Sequence, residues 1–97
     1  MGRSLTGADF VMERRMRDAR RGDVNAFFDL GVAYSTGSGV GLNLIEAHKW
    51  FNLAAVAGLR PAQAARAEIA EDMSAREIAE AQRQARAWMG MTRAQAA

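Results

Sequence analysis

Few side chains in this sequence are of the kinds that catalyse reactions or bind metal ions. The chain has 97 residues, no cysteine and one histidine, His48. Without cysteine there is no thiolate for zinc, no thiol nucleophile and no disulfide. A metal site at His48 would need carboxylates alone as its other ligands, so we interpret His48 as a residue on a helix surface. We therefore expect no metal and no cofactor.

Two further patterns resemble chemical sites but have simpler explanations. Residues 37–41 (GSGVG) are glycine-rich like a phosphate-binding loop, but no strand pattern precedes them and no Lys-Ser or Lys-Thr pair comes after them. We interpret them as a structural turn. Acidic residues between positions 68 and 80 alternate with arginines, which is typical of a solvated, salt-bridged helix face. Because no nucleophile lies beside a base in the pattern, we expect a protein that is not an enzyme.

The arginines near the N-terminus form the other chemical feature. Residues 1–22 contain six arginines and three acidic residues. Such a helix can be merely solvated, can face an acidic protein, or can contact the phosphates of nucleic acid. Nucleic-acid binding is the weaker alternative, because aromatic residues do not alternate with the arginines and the net charge is only +2. The arginines concerned are Arg14, Arg15, Arg17, Arg20 and Arg21.

Composition and periodicity predict an all-α fold to position these residues. Apolar residues make up 49% of the chain, with a single proline, and they recur at helical spacing in five segments. We expect helices at about residues 5–21, 24–35, 44–57, 61–72 and 75–90, with a frayed tail at 91–97. Residues of the types that begin and end helices stand at the boundaries. The starts are Thr6, Asp23, Asn43 and Ser74, and the ends are Gly22, Gly58 and Gly90.

Two positions in these helices carry a packing prediction. Gly31 lies inside the second helix, where glycine costs about 1 kcal/mol relative to alanine. This indicates that another helix crosses closely at Gly31. Phe10 and Val11 lie outside the apolar stripe that contains Met12 and Met16, and we favour their burial on a second side of the first helix over exposure to a partner.

A period of 36 residues relates the helices to one another. Gly22 and Gly58 occupy equivalent positions, and Gly31 corresponds to Ala67, another small residue. The chain therefore reads as a single domain with a half unit at residues 5–21, a full repeat at 22–58 and a degenerate capping repeat at 59–90. Solenoid proteins generally need about three units, so dimerisation or docking onto a partner would complete this array.

The full unit resembles the Sel-one-like repeat, a relative of the tetratricopeptide repeats. The resemblance implies a short right-handed α-solenoid of about five helices in stacked antiparallel hairpins, and a bacterial adaptor or scaffold in regulation or complex assembly. The loop departs from the family pattern at Gly41-Leu42-Asn43. The matching residues are Gly22-Asp23, Ala26, Leu30-Gly31, Tyr34, Gly37-x-Gly39-Val40, Glu46-Ala47, Lys49-Trp50-Phe51, Ala54-Ala55 and Gly58.

The expected function is binding of a protein segment through the concave helix face and the first helix. Tyr34, Trp50 and Phe51 are expected first of all in the core, and Trp50 could in addition be half-exposed in the groove and contact the partner. No apolar run approaches the roughly 20 residues of a membrane span, and no apolar segment precedes the N-terminal charges as in a signal peptide. We therefore expect a cytoplasmic protein. The candidate contact residues are Phe10, Arg14, Arg15, Arg17, Phe27, Tyr34 and Trp50.

Overall fold

The computed structural model describes residues 6–96, and this range contains five α-helices and no strand. The all-α prediction is confirmed. None of the helices in this range combines the length and the apolar character that crossing a membrane requires. The predicted start of the first helix at Leu5, and Ala97 of the predicted tail, lie outside the described residues. The helices are α1 (Gly7–Arg20), α2 (Val24–Thr36), α3 (Leu44–Val56), α4 (Arg60–Ala70) and α5 (Ala75–Ala96).

Side-chain caps begin the helices at the predicted residues. The Thr6 hydroxyl accepts a hydrogen bond from the Asp9 N–H (3.2 Å), while the Asp9 carboxylate accepts one from the Thr6 N–H (2.9 Å). Ser74 and Glu77 form the same reciprocal pair at the start of α5, with distances of 3.1 and 2.8 Å. Such capping boxes satisfy backbone donors that have no partner inside the helix. The remaining predicted caps are also present, Asp23 on α2 and Asn43 on α3.

Glycines end two of the helices as expected, but not the last one. Gly22 and Gly58 adopt positive φ angles of 84° and 100°, which glycine reaches at little cost. Gly90, by contrast, lies inside α5, which continues to Ala96. The prediction that Gly90 begins a frayed tail is wrong. The residues after it, MTRAQA, are mostly good helix formers, and they extend the helix past a single glycine.

Helix α3 lies at the centre of the fold. It packs against α2, α4 and α5, and α1 packs against α2. Trp50 of α3 joins three of these helices, because its ring stacks on Phe27 of α2 (centroids 6.0 Å apart) and meets Trp88 of α5 edge to face (4.8 Å). In the described range α4 and α5 are not a closely packed pair. The stacked-hairpin solenoid therefore stays a prediction.

The predicted close crossing at Gly31 is confirmed. A Cβ atom at Gly31 would lie 2.4 Å from Cδ1 of Phe51 on α3, so only glycine fits without a shift of the Phe51 ring or of the two helices. The corresponding residue of the last repeat, Ala67, is exposed. The period of 36 residues therefore does not reproduce this crossing in the C-terminal half of the chain.

Candidate protein-binding surface

Two of the predicted contact residues belong to the core. Phe27 is 8% exposed and Trp50 only 1%. The expectation that Trp50 is a core residue is confirmed, whereas the prediction that Phe27 and Trp50 contact a partner, with Trp50 half-exposed in a groove, is wrong. The physical reason is the position of α3: with α2 on one side and α5 on another, the indole has aromatic neighbours from both helices within the chain. Large aromatic side chains contribute most when they are buried in this way.

Polar contacts fix the orientation of Trp50. Its Nε1 donates a hydrogen bond to Oε2 of Glu46 (3.1 Å), and the Lys49 ammonium lies 2.8 Å from the same oxygen. Lys49 Nζ also lies 4.6 Å from the centroid of the indole, within range of a cation–π interaction. Three residues spaced along α3 thus contact one another through Oε2 of Glu46.

His48 is also buried, which contradicts its interpretation as a surface residue. It is 3% exposed, and within the described part of the chain its Nδ1 has no hydrogen-bond partner. Burial, and secondarily the charge of Arg66, lower the pKa of His48 below its ordinary value of 6.5. Arg66 of α4 donates a hydrogen bond to Asn52. Among the described residues no group of three or more His, Cys, Asp or Glu is placed to hold a metal ion.

The outer face of α1 remains accessible. Phe10 is 57% exposed, and Arg14 and Arg17 are exposed as well. Their spacing of i, i+4 and i+7 places all three on one side of the helix. The preference for a buried Phe10 is wrong, since only Val11 of that pair is half-buried. Arg15 lies on another side of α1, where it lines a small hollow with Ser38 and Gly39.

A depression on the surface runs between α1 and α2, and we call it the α1–α2 groove. It has a volume of about 460 Å³. The half-buried side chains of Met12, Met16 and Tyr34 pack against the core and form an apolar floor. Methionine side chains adapt readily to the shape of a ligand. The residues that line the groove are Met12, Glu13, Met16, Arg17, Arg20, Tyr34 and Val40.

The rim of the groove carries arginine charges that none of the described side chains neutralises in an ion pair. Among the side chains that the structure describes, no carboxylate lies within 4.0 Å of the guanidinium groups of Arg17 and Arg20, although Glu13 lies on the same rim. Burial, and secondarily the charge of Glu46, raise the pKa of Tyr34 above 10.0, so its phenol keeps its proton at neutral pH. The groove therefore offers two cations and one neutral hydroxyl beside an apolar floor.

The groove corresponds only in part to the residues predicted from the sequence. It includes Arg17 and Tyr34 from that set, while Phe10 and Arg14 lie on the neighbouring outer face. Sequence reasoning placed Met12 and Met16 in a buried stripe and missed them as groove residues. The available signal was their type, because two methionines one helical turn apart on a basic helix are typical of an adaptable binding surface.

Comparison of the chain with protein-family models, with curated proteins and with solved structures gives no match. The resemblance to the Sel-one-like repeat therefore stays a prediction, and the functional argument depends on the geometry of the surface itself.

Proposed function

We propose that this chain is a non-enzymatic protein-interaction module, an adaptor or scaffold of the cytoplasm that binds an acidic protein segment. The α1–α2 groove is the observation that carries the proposal. An apolar floor can bury an apolar side chain of the partner, which is the main source of affinity at such contacts. Unneutralised arginines on the rim favour an acidic partner and speed its association.

The repeat pattern adds support from a different direction. Residues 22–58 begin and end at glycines with positive φ, and Gly31 allows the close helix crossing that a compact helical unit needs. These features agree with the Sel-one-like pattern and with the short right-handed solenoid that it implies. A bacterial regulatory or complex-assembly factor is the role that this resemblance favours.

Nucleic-acid binding through α1 is the competing proposal, since the same arginines could contact phosphates. The composition of the groove favours protein. Its floor holds one aromatic ring, Tyr34, beside two methionines, whereas single-stranded nucleic acid is generally bound by several rings on which bases stack. Phosphate contacts alone also need no apolar floor.

Charge reversal in the groove tests the proposal. The variant Arg17→Glu/Arg20→Glu is compared with wild type and with Arg60→Glu/Arg76→Glu, which makes the same change in net charge at exposed positions of α4 and α5. Glutamate is favourable in the first turn of a helix, so the control variant should remain folded. Circular dichroism establishes that all three proteins are helical before they are compared.

Each protein is used to capture partners from the native host with and without nuclease treatment, and captured proteins are identified by mass spectrometry. We expect a protein with an acidic segment that wild type and the control variant retain and the groove variant loses. Equal capture by the groove variant would contradict the proposal. A partner that disappears on nuclease treatment would favour the nucleic-acid alternative instead.

A further inference from the structure

A second depression begins where the α1–α2 groove ends. Arg20, at the end of the groove, also lines a small hollow of about 80 Å³ with Trp88, Met91 and Thr92 of α5. Trp88 and Thr92 in turn line a larger hollow of about 220 Å³. We call these two adjoining depressions the α5 hollow. The residues that line the larger part are Ala19, Gly22, Phe27, Leu53, Val56, Ala57, Trp88, Met89 and Thr92.

The α5 hollow is apolar and partly open to solvent. Val56 and Met91 at its edge are 64% and 56% exposed. The Thr92 hydroxyl donates to the backbone carbonyls of Trp88 and Met89 (3.1 Å each), so it is occupied within the helix. Trp88 is held by its edge-to-face contact with Trp50. The hollow therefore has a preformed wall and an apolar lining, with Arg20 as its charged residue.

Arg20 thus stands between two apolar depressions. The groove runs along α1 from Met12 to Arg20, roughly 12 Å at 1.5 Å per residue. Glu13 lies toward the Met12 end of the groove and disfavours a carboxylate there, whereas Arg17 and Arg20 lie toward the α5 hollow. The charges therefore place the acidic part of a ligand at the junction of the two depressions, where Arg20 lines both.

We infer that the surface takes a protein segment in which acidic residues lie between two bulky apolar side chains, one bound in the α1–α2 groove and the other in the α5 hollow. This inference rests on the proposed function and adds the sequence pattern of the partner. Charge complementarity at Arg17 and Arg20 selects the acidic centre. The two depressions bury the flanking apolar side chains, and burial of apolar surface is the main favourable term in such binding.

Synthetic peptides test this pattern directly. The probes are fluorescein-labelled peptides with a central Glu-Asp pair and one leucine on each side. The number of residues between the two leucines varies across the set, so that the distance between them covers both extended and helical segments. Matched peptides replace either leucine with serine, or the acidic pair with Gln-Asn. Fluorescence anisotropy gives the affinity of each peptide for the whole chain.

Three proteins are compared with wild type in this titration. Arg20→Gln removes the charge between the depressions, Met91→Ser removes an exposed apolar residue of the α5 hollow, and Arg86→Gln is the control at another exposed arginine of α5. We expect the best two-leucine peptide to lose about tenfold in affinity with Arg20→Gln, and to be unchanged with Arg86→Gln. Met91→Ser should weaken the binding of the two-leucine peptide. It should not change the affinity of the peptide that lacks the leucine bound in the α5 hollow, as a double-mutant cycle requires.

The inference is overturned if single-leucine peptides bind as tightly as two-leucine peptides, or if no peptide of the set binds. In either case a partner that still depends on Arg17 and Arg20 in the capture experiment leaves the proposed function standing. A single-stranded oligonucleotide that binds more tightly than every peptide, and that loses affinity with Arg20→Gln, would overturn both. A dimer of the wild-type chain that Met91→Ser converts to monomer, shown by light scattering, would assign the hollow to a second copy of the chain and contradict the inference.

Discussion

Replacing Gly31 with alanine tests the close contact between α2 and α3. A Cβ atom there would lie 2.4 Å from Cδ1 and 2.5 Å from Cε1 of Phe51. Phe51 is 2% exposed, and its ring packs against Phe28 with centroids 5.4 Å apart. Because the ring is buried and packed in this way, it has little space to turn into, and we expect the added methyl group to push α2 away from α3.

Two opposing terms decide the size of the effect. Overpacking a well-packed site costs about 1–3 kcal/mol, while alanine in a helix interior gains about 1 kcal/mol over glycine. Because a contact of 2.4 Å is far inside van der Waals distance, we take the upper part of the overpacking range, about 2–3 kcal/mol. After the gain in helix propensity is subtracted, we expect Gly31→Ala to lower the free energy of unfolding by about 1–2 kcal/mol. For a domain of this size each 1 kcal/mol corresponds to about 4–8 °C, so the Tm should fall by about 4–16 °C.

Gly90 provides the matched control, because it lies inside α5 and a Cβ atom there would have no neighbour within 4 Å. Gly90→Ala should therefore show only the gain in helix propensity of alanine over glycine, and raise the free energy of unfolding by about 0.5–1 kcal/mol. Thermal melts monitored by circular dichroism, with urea titrations to give the free energy of unfolding, measure both variants in the same buffer.

Opposite signs for the two alanine variants are the expected result. If Gly31→Ala raises the Tm as Gly90→Ala does, α2 and α3 do not cross closely at Phe51 and the reasoning fails. The double variant Gly31→Ala/Phe51→Leu gives a second check. With a smaller side chain opposite the new methyl group, Gly31→Ala should cost less stability in the Phe51→Leu background than in wild type. Additive effects of the two substitutions would contradict a direct contact between these positions.

Two further predictions concern His48 and the cap of α3. Burial and the charge of Arg66 lower the pKa of His48 in the folded chain. As the pH falls through 6.5, His48 is therefore protonated in the unfolded chain before it is protonated in the folded chain. The contribution of His48 to stability is therefore fully present above about pH 6.5 and is lost as the pH falls below it. Urea titrations across this range should show the loss in wild type and not in His48→Leu, and a flat profile in wild type would refute it. Asn43→Ala removes the hydrogen bond to the Glu46 N–H (3.1 Å) and should cost about 0.5–2 kcal/mol, whereas the exposed control Gln63→Ala should stay within about 0.5 kcal/mol of wild type.

The helix boundaries could be predicted from the sequence because their causes are local. Thr6 and Asp9, or Ser74 and Glu77, are three residues apart, and each pair forms its hydrogen bonds within one helical turn. The prediction at Gly90 was wrong for a related reason. A glycine ends a helix when the chain also turns there, and whether α5 turns depends on the helix-forming residues after Gly90 rather than on the glycine itself.

The burial of His48 could not be predicted from the apolar stripe of α3. Periodicity indicates that one face of a helix is covered, and it predicts the opposite face to be solvated. Helix α3 is instead covered by α2, α4 and α5, so His48 is buried as well as Trp50 and Phe51, which the sequence places in the core. The number of helices around α3 is a property of the whole fold.

The candidate surface also depends on contacts between residues that are far apart in the sequence. The sequence identifies the arginines of α1 and the apolar residues at the end of α5 separately, and nothing in their spacing pairs Arg20 with Trp88 or Met91. They line one hollow because α5 docks on α3 beside the end of α1. Contacts between residues so far apart in the chain arise from packing, and a single sequence does not contain that information.

The edge-to-face pair of Trp50 and Trp88 has a practical consequence for work on this chain. These are its two tryptophans, and their contact at 4.8 Å is also the junction between α3 and α5. Intrinsic fluorescence and near-ultraviolet dichroism of the unlabelled protein therefore report on the docking of α5, while far-ultraviolet dichroism reports on helix content. Comparing the two signals during denaturation shows whether the last helix separates from the core before the remaining helices melt.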